Sequence, residues 1–401
     1  MKEKGLVEFF ENYLKKKPIF KNKQILQSNF LPEKIFHREE QINQIAKILA
    51  PSLKGEKISN LFIYGKTGTG KTATTKHIIS QIEKTKNNKN ILLKIIYINC
   101  KLKKVADTEY RLIAQLAREF GKAIPPTGLP TDEVYNSFFS ALDKEKQNII
   151  IVLDEIDQLI GKVGDEILYN LTRVNSELLN SQVSIIGISN DIMFIDNLDP
   201  RVKSSLSEEE IIFPPYNALQ IQTILSERAK ESFNNNILEE GFIEKCAAFA
   251  ARDHGDARRA IELLRVAGEI AEREGNEFVK INHLDEAEEK IEKDRVFEII
   301  QSQPKQYQVV LFSILQISDQ SKSSIFTGEI YEFYKNLCVQ AGLRPLTQRR
   351  ISDIIGEFDM LGIINAKVIS KGRYGRTREI SIEGLNLNEK IKQTIQESLG
   401  L

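Results

Sequence analysis

The chain has 401 residues, and its 56 lysines and arginines balance 56 aspartates and glutamates to a formal net charge of zero. Hydrophobic residues make up 41% and charged residues 28%, which excludes a disordered chain and supplies apolar material for more than one core. A neutral balance leaves nucleic-acid binding to be argued from local charge alone. Cys100, Cys246 and Cys338 are odd in number and have no metal-type spacing, so reduced buried thiols are expected rather than a disulfide framework. The lysine-rich start lacks the apolar core of a secretory signal, and the longest apolar runs fall far short of the roughly 20 residues a spanning helix needs. A soluble cytoplasmic protein with no membrane partner is expected.

In chain order, residues 1–17 read as a basic arm, helical or loose, ended by Pro18. Ile42, Ile45, Ala46, Ile48 and Leu49 at helical spacing predict a helix to about residue 49. Short apolar runs at 59–64, 91–99, 148–153, 183–189 and 211–213 predict five strands, with a helix over 72–84. Strands alternating with helical stretches argue an α/β layer with a largely parallel sheet over residues 18–215. After Pro214-Pro215 the strands stop. Residues 217–233, 239–252, 256–274 and 283–298 read as helices of a separate helical domain, 216–298. Its last helix carries an acidic run that reads as a solvated face. From 299 to 401 three helical stretches (304–317, 327–341, 347–361) precede two extended runs (363–370, 376–382), the order of a winged helix.

Gly65-Lys66-Thr67-Gly68-Thr69-Gly70-Lys71-Thr72 has the spacing G-x-x-x-x-G-K-[ST], between a strand and a helix. Glycines let backbone N–H groups curl around phosphates, and the helix N-terminus adds its positive end. Lys71 would reach the β- and γ-phosphates and Thr72 would ligate magnesium. The run 148–153 then delivers Asp154 beside the metal and Glu155 to polarise an attacking water. Asn190, at the end of the fourth strand, could orient that water or meet the γ-phosphate. Arg201, in Asp199-Pro200-Arg201-Val202, could reach a neighbour's nucleotide as an arginine finger. In Gly255-Asp256-Ala257-Arg258-Arg259 an N-capped helix begins, and Arg258 or Arg259 could fold over the phosphates.

Together these segments resemble an AAA+ ATPase: GKTGTGKT, IIIVLDEID, ISN, DPRV, FPPYNA and GDARRA. With the winged helix and the phrase IFKNKQILQSNFLPEKIFHREEQI, the chain resembles the archaeal origin-recognition and replication-licensing initiator family, of the Cdc6 type, over roughly residues 19–382. No ATPase-motif residue is lost. The resemblance implies that residues 32–38, including Ile35 and Arg38, wrap the adenine with Tyr216. It makes Asn190 the first sensor and Arg258 the lid sensor. It also implies a helical insertion around 120–136 that touches the DNA backbone, with Lys122, Pro125, Pro126, Thr127 and Gly128 in it. From the residues alone that stretch is a stiff surface loop.

Residues 344–378 hold eight basic and three acidic side chains, a net +5 in an otherwise neutral protein. Such local asymmetry is a phosphate-binding footprint. Thr347-Gln348-Arg349-Arg350 opens the third helix, whose N-terminal residues meet base edges in helix-turn-helix proteins, with Arg344 just before it. Lys371-Gly372-Arg373-Tyr374-Gly375-Arg376 would be the wing tip in the minor groove, with Tyr374 propping the hairpin. The expected function is an ATP- and Mg2+-dependent initiator that binds duplex origin DNA, helps recruit the replicative MCM helicase and hydrolyses ATP slowly as a switch. It would be nucleoid-associated, alone or with other copies or paralogues. The alternative is a clamp-loader-like or remodelling ATPase acting on proteins; a winged helix in place of a helical collar argues against it.

Overall fold

The computed structural model describes residues 17–400 except 90, 102–107, 126, 207, 321–324, 362, 371–375 and 382–388. The basic-arm expectation (1–17) therefore falls almost entirely outside the described residues, as do Pro126 and the wing-tip residues Lys371, Gly372, Arg373 and Tyr374. The chain divides into two compact units, 1–284 and 285–401.

The first unit is built on a five-stranded sheet in the order β2-β3-β4-β1-β5. The strands are β1 Leu61–Tyr64, β2 Leu93–Asn99, β3 Asn148–Asp154, β4 Gln182–Ser189 and β5 Glu209–Ile212, and every pairing is parallel. All seven β3 residues are buried, which is why the sequence reads there as an unbroken apolar run. Helices α1 Glu39–Leu49 and α2 Lys71–Lys89 cover one face, where Ile45, Leu49, Ile78 and Ile82 meet Ile63, Val152 and Ile188. The spacing of Ile45 and Leu49 puts both on one side of α1, and Glu39 and Glu40 suit the positive end of its first turn. The other face is covered by α3 Glu109–Glu119, α4 Thr131–Leu142, α5 Ile156–Val163, α6 Glu166–Arg173 and α7 Pro200–Leu206, whose apolar residues pack on Phe62, Ile151 and Leu153. In the stretch 120–136, expected as a helical insertion, the described residues before Thr131 are non-helical and those from Thr131 belong to α4.

Three helices follow: α8 Ala218–Ser232, α9 Phe242–Arg252 and α10 Ala257–Glu274. Asn217 and Gln220 close a reciprocal capping box at α8, each side chain bonding the other's backbone N–H at 2.9 and 3.0 Å. Asp256 caps α10 by accepting from the Arg258 N–H at 2.8 Å. Residues 18–26 pack on these helices rather than on the sheet. The Phe20 and Phe233 rings lie 4.8 Å apart, Lys21 N donates to Ser232 O at 2.8 Å, and Lys23 pairs with Glu269 at 2.9 Å. A Cβ on Gly268 would sit 2.5 Å from the Phe20 ring, so this helix face must be bare for the strap to lie on it.

The unit boundary falls within α11 Ile281–Ser302. The second unit adds α12 Lys305–Gln320, α13 Thr327–Gln340, α14 Gln348–Met360 and α15 Glu389–Leu399, with β6 Ile325–Phe326, β7 Asn365–Ser370 and β8 Arg376–Ser381. The three strands form an antiparallel sheet in the order β6-β8-β7. Val310, Leu315, Tyr334, Ile354, Phe358, Ile380 and Ile395 share its core. Three helices and a hairpin are the winged-helix order expected; β6 and α15 are additions. No helix among the described residues is long and apolar enough to cross a membrane.

Candidate functional site

The loop 65–70 leaves β1 at its carboxyl end and opens α2, the position where open α/β sheets bind ligands. Gly68 and Gly70 hold φ of +74° and +90°. A Cβ on Gly68 would lie 1.7 Å from Asp256 Oδ1, and one on Gly70 would lie 2.7 Å from the Tyr216 hydroxyl. Only glycine fits a loop that is both left-handed and pressed against its neighbours. Ala257 N donates to Gly68 O at 3.3 Å, so the first turn of α10 touches the loop directly.

Lys71 is buried, and its Nζ donates to Gly65 O at 2.7 Å and Lys66 O at 2.8 Å. Burial first, then the Arg258 charge, pull its ammonium down to about 8; Asp154, Asp157 and Asp256 oppose this. The folded value lies below the ordinary lysine value of 10.5. Folding therefore disfavours the charged form, a cost present at low pH that is relieved as pH rises from about 8 to 10.5. An anion at the loop would restore the proton. Nucleotide binding at pH 8.5 is thus expected to take up protons, seen by calorimetry in buffers of different ionisation enthalpy. The uptake should vanish at pH 7 and in Lys71→Met; uptake unchanged in Lys71→Met would assign the proton elsewhere.

Asp154 ends β3 and is buried. Its Oδ2 accepts from Thr72 Oγ1 at 3.0 Å and from the Tyr97 hydroxyl; its Oδ1 accepts from Glu155 N at 3.0 Å. A hydroxyl that donates to a carboxylate keeps lone pairs to offer. One hydroxyl and one carboxylate are an all-oxygen donor pair of the kind that suits Mg2+ completed by phosphates and water. The residues present therefore fit that ion. Glu155 adopts φ +55° at the start of α5, and its carboxylate lies 3.9 Å from Lys101 Nζ. Asp157 Oδ1 accepts from Ser189 Oγ at 3.1 Å and Asn190 N at 3.2 Å, fixing Asn190 at the end of β4. The carboxyl ends of β1, β3 and β4, which are neighbours in the sheet, thus gather the loop, Asp154, Glu155 and Asn190.

A cavity of about 1380 Å³ opens from this loop toward the helices α8 and α10. Gly68, Gly70, Thr72, Ile35, Tyr216 and Arg258 line it. Arg38 does not. It is buried, donates to Thr69 O at 2.9 Å and to Pro214 O, and lies 3.8 Å over the Tyr216 ring. Its guanidinium ties the phosphate loop to the segment entering α8. Lys66 and Thr67 are exposed on the loop. Arg201 is outside the cavity lining, exposed on α7, with its guanidinium on Asp199 at 3.0 Å and 5.0 Å over Tyr169. That pairing holds the Asp199 carboxyl at about 2. The sequence reading missed Tyr97 and Lys101; a tyrosine inside an apolar strand gives no sign that its hydroxyl reaches the next strand's end.

In the 120–130 loop, Lys122, Pro125, Thr127 and Gly128 are exposed. Tyr110 donates to Pro125 O at 2.8 Å and Arg118 to Ile124 O at 2.9 Å, so α3 braces the base of the loop. In the second unit Thr347 caps α14, and Arg344, Gln348 and Arg349 are exposed before and on its first turn. Arg350 is engaged within the domain: its guanidinium donates to the Tyr307 hydroxyl at 2.6 Å and lies 3.3 Å from Glu357. Arg376 opens β8.

Residues 35–236 match the ATPase domain predominantly from Archaea, 222–289 the Cdc6 AAA+ ATPase-type lid domain, and 298–388 the CDC6 C-terminal winged helix domain. The ORC1-type DNA replication protein of Thermococcus onnurineus is 52% identical over 386 residues, covering 95% of this chain and 92% of the relative. That of Pyrococcus abyssi is 53% identical over 381 residues, covering 94% and 90%. Among solved structures, the Aeropyrum pernix ORC1 protein in complex with DNA is 44% identical, with a TM-score of 0.83 over 94% of this chain and 97% of that one. A parallel α/β core, a Cdc6-type lid and a C-terminal winged helix, with this identity along nearly the whole length, make the chain a member of the ORC1-type DNA replication protein family.

Proposed function

We propose that this chain is an ATP-dependent initiator that binds duplex origin DNA and helps recruit the replicative MCM helicase, with slow ATP hydrolysis as its switch. One observation carries the reading: a complete phosphate loop, with Lys71 held on the loop carbonyls and Thr72 bonded to Asp154, in a chain that also has an exposed Gln348 and Arg349 at the start of α14. The solved structure of a relative 44% identical to it holds DNA. The working partition is 18–215 for nucleotide, 216–298 for the lid and 299–401 for DNA.

In this reading the loop N–H groups of 65–70 and Lys71 bind the phosphates. Ile35 and Tyr216 hold the adenine, and Arg38 acts from behind by fixing the loop. Thr72 and Asp154 hold Mg2+, which when bound shields phosphate charge. Glu155 takes the proton of the attacking water and Asn190 orients that water. Arg258 reads the γ-phosphate from the lid. Arg201, exposed on α7 with its guanidinium on Asp199, serves a neighbouring molecule. Gln348 and Arg349 read base edges, while Arg344, Lys371, Gly372, Arg373, Tyr374, Arg376 and the 122–128 loop follow the backbone and minor groove. Purified helicase should load onto origin-bearing DNA only when this protein and ATP are both present. Loading that is equally efficient without the protein would contradict the recruiting role.

A further inference from the structure

Tyr97 has no part in the scheme above, yet its hydroxyl donates to Asp154 Oδ2, the oxygen that Thr72 also engages. Three features build this contact. Tyr97 pairs in register with Val152, so by strand alternation its side chain leaves the sheet on the same face as Val152 and Asp154. That face is the one covered by α2, and Lys76, one helical turn after Thr72, places its Nζ 4.6 Å over the Tyr97 ring. The backbone ladder already joins β2 to β3 along seven residue pairs, so the hydroxyl is not needed to hold the strands together.

We infer that Tyr97 is a positioning residue for the metal: its hydroxyl fixes the orientation of the Asp154 carboxylate so that Asp154 and Thr72 face Mg2+ together. This rests on the Mg2+–nucleotide reading above. Partners that orient a metal-binding carboxylate are commonly worth about 10- to 100-fold in metal affinity.

The test is Tyr97→Phe, which keeps the ring, its packing and the Lys76 contact. A fluorescent ADP analogue is titrated in EDTA and again across a range of MgCl2, and a nucleotide-free melt checks the fold. The expected result is unchanged affinity in EDTA, an unchanged melt, and about a tenfold higher Mg2+ concentration for half of the metal-dependent gain. An Mg2+ midpoint equal to wild type would overturn the positioning role alone. A wild-type protein that binds the analogue equally with and without Mg2+ would overturn the Mg2+–nucleotide reading, and this inference with it. Should the variant's melt fall, Tyr97→Leu separates the roles: a midpoint shift shared by both variants supports the hydroxyl, and one confined to Leu assigns the effect to the ring and overturns the inference.

Discussion

Replacing Glu155 with glutamine is expected to slow ATP hydrolysis by about 10²- to 10⁴-fold while leaving nucleotide affinity unchanged. Glu155 is the first residue beyond β3, turned by its φ of +55° away from the strand direction. Its backbone N–H, not its carboxylate, is what Asp154 uses, so the swap leaves the Asp154–Thr72–Tyr97 cluster intact. Its carboxylate lies 3.9 Å from Lys101 Nζ, longer than a hydrogen bond, so the swap disturbs no tight contact there. Glutamine keeps the shape and loses the base. Single-turnover hydrolysis with a parallel binding titration separates the two effects. Hydrolysis at the wild-type rate would remove Glu155 from the chemistry.

Arg349→Ala is expected to carry the largest change in DNA recognition. A good bidentate base contact is worth about 1–3 kcal/mol of discrimination, so the preference for a specific site over random duplex should fall by roughly 5- to 150-fold. Affinity for random DNA should change little beyond the loss of one charge. Arg350, one residue on, should behave differently. Its guanidinium is held by Tyr307 and Glu357 on the domain's own surface, so its replacement loosens the packing of α12 against α14 more than it alters site choice. Competition titrations at fixed salt distinguish them. Equal loss of site preference in both variants would contradict the assignment.

The α/β core was legible because parallel strands buried on both faces read as continuous apolar runs; β3 is the clearest case. The phosphate loop was legible because its glycines, lysine and threonine must be contiguous. Arg38 was not. Nothing in its neighbourhood announces that it clamps Thr69 and Pro214, which lie 31 and 176 residues away. Residues 18–26 were placed by sequence order with the sheet, whereas Phe20 and Lys23 find Phe233 and Glu269 on the lid helices. Strand β6 has two residues, too few to show alternation, and pairs with β8 from more than 50 positions away. Tyr97 failed for the same reason as Arg38: long-range polar contacts have no period.

The most direct test of an ATP-dependent origin-binding initiator is a nuclease footprint. The protein with ATP is placed on its own genomic fragments with excess random duplex at about 150 mM salt, where charge alone binds weakly. Discrete protected sites clustered where replication starts are the predicted result. Uniform coating, or protection no better than that of an Arg349→Ala protein, would contradict it.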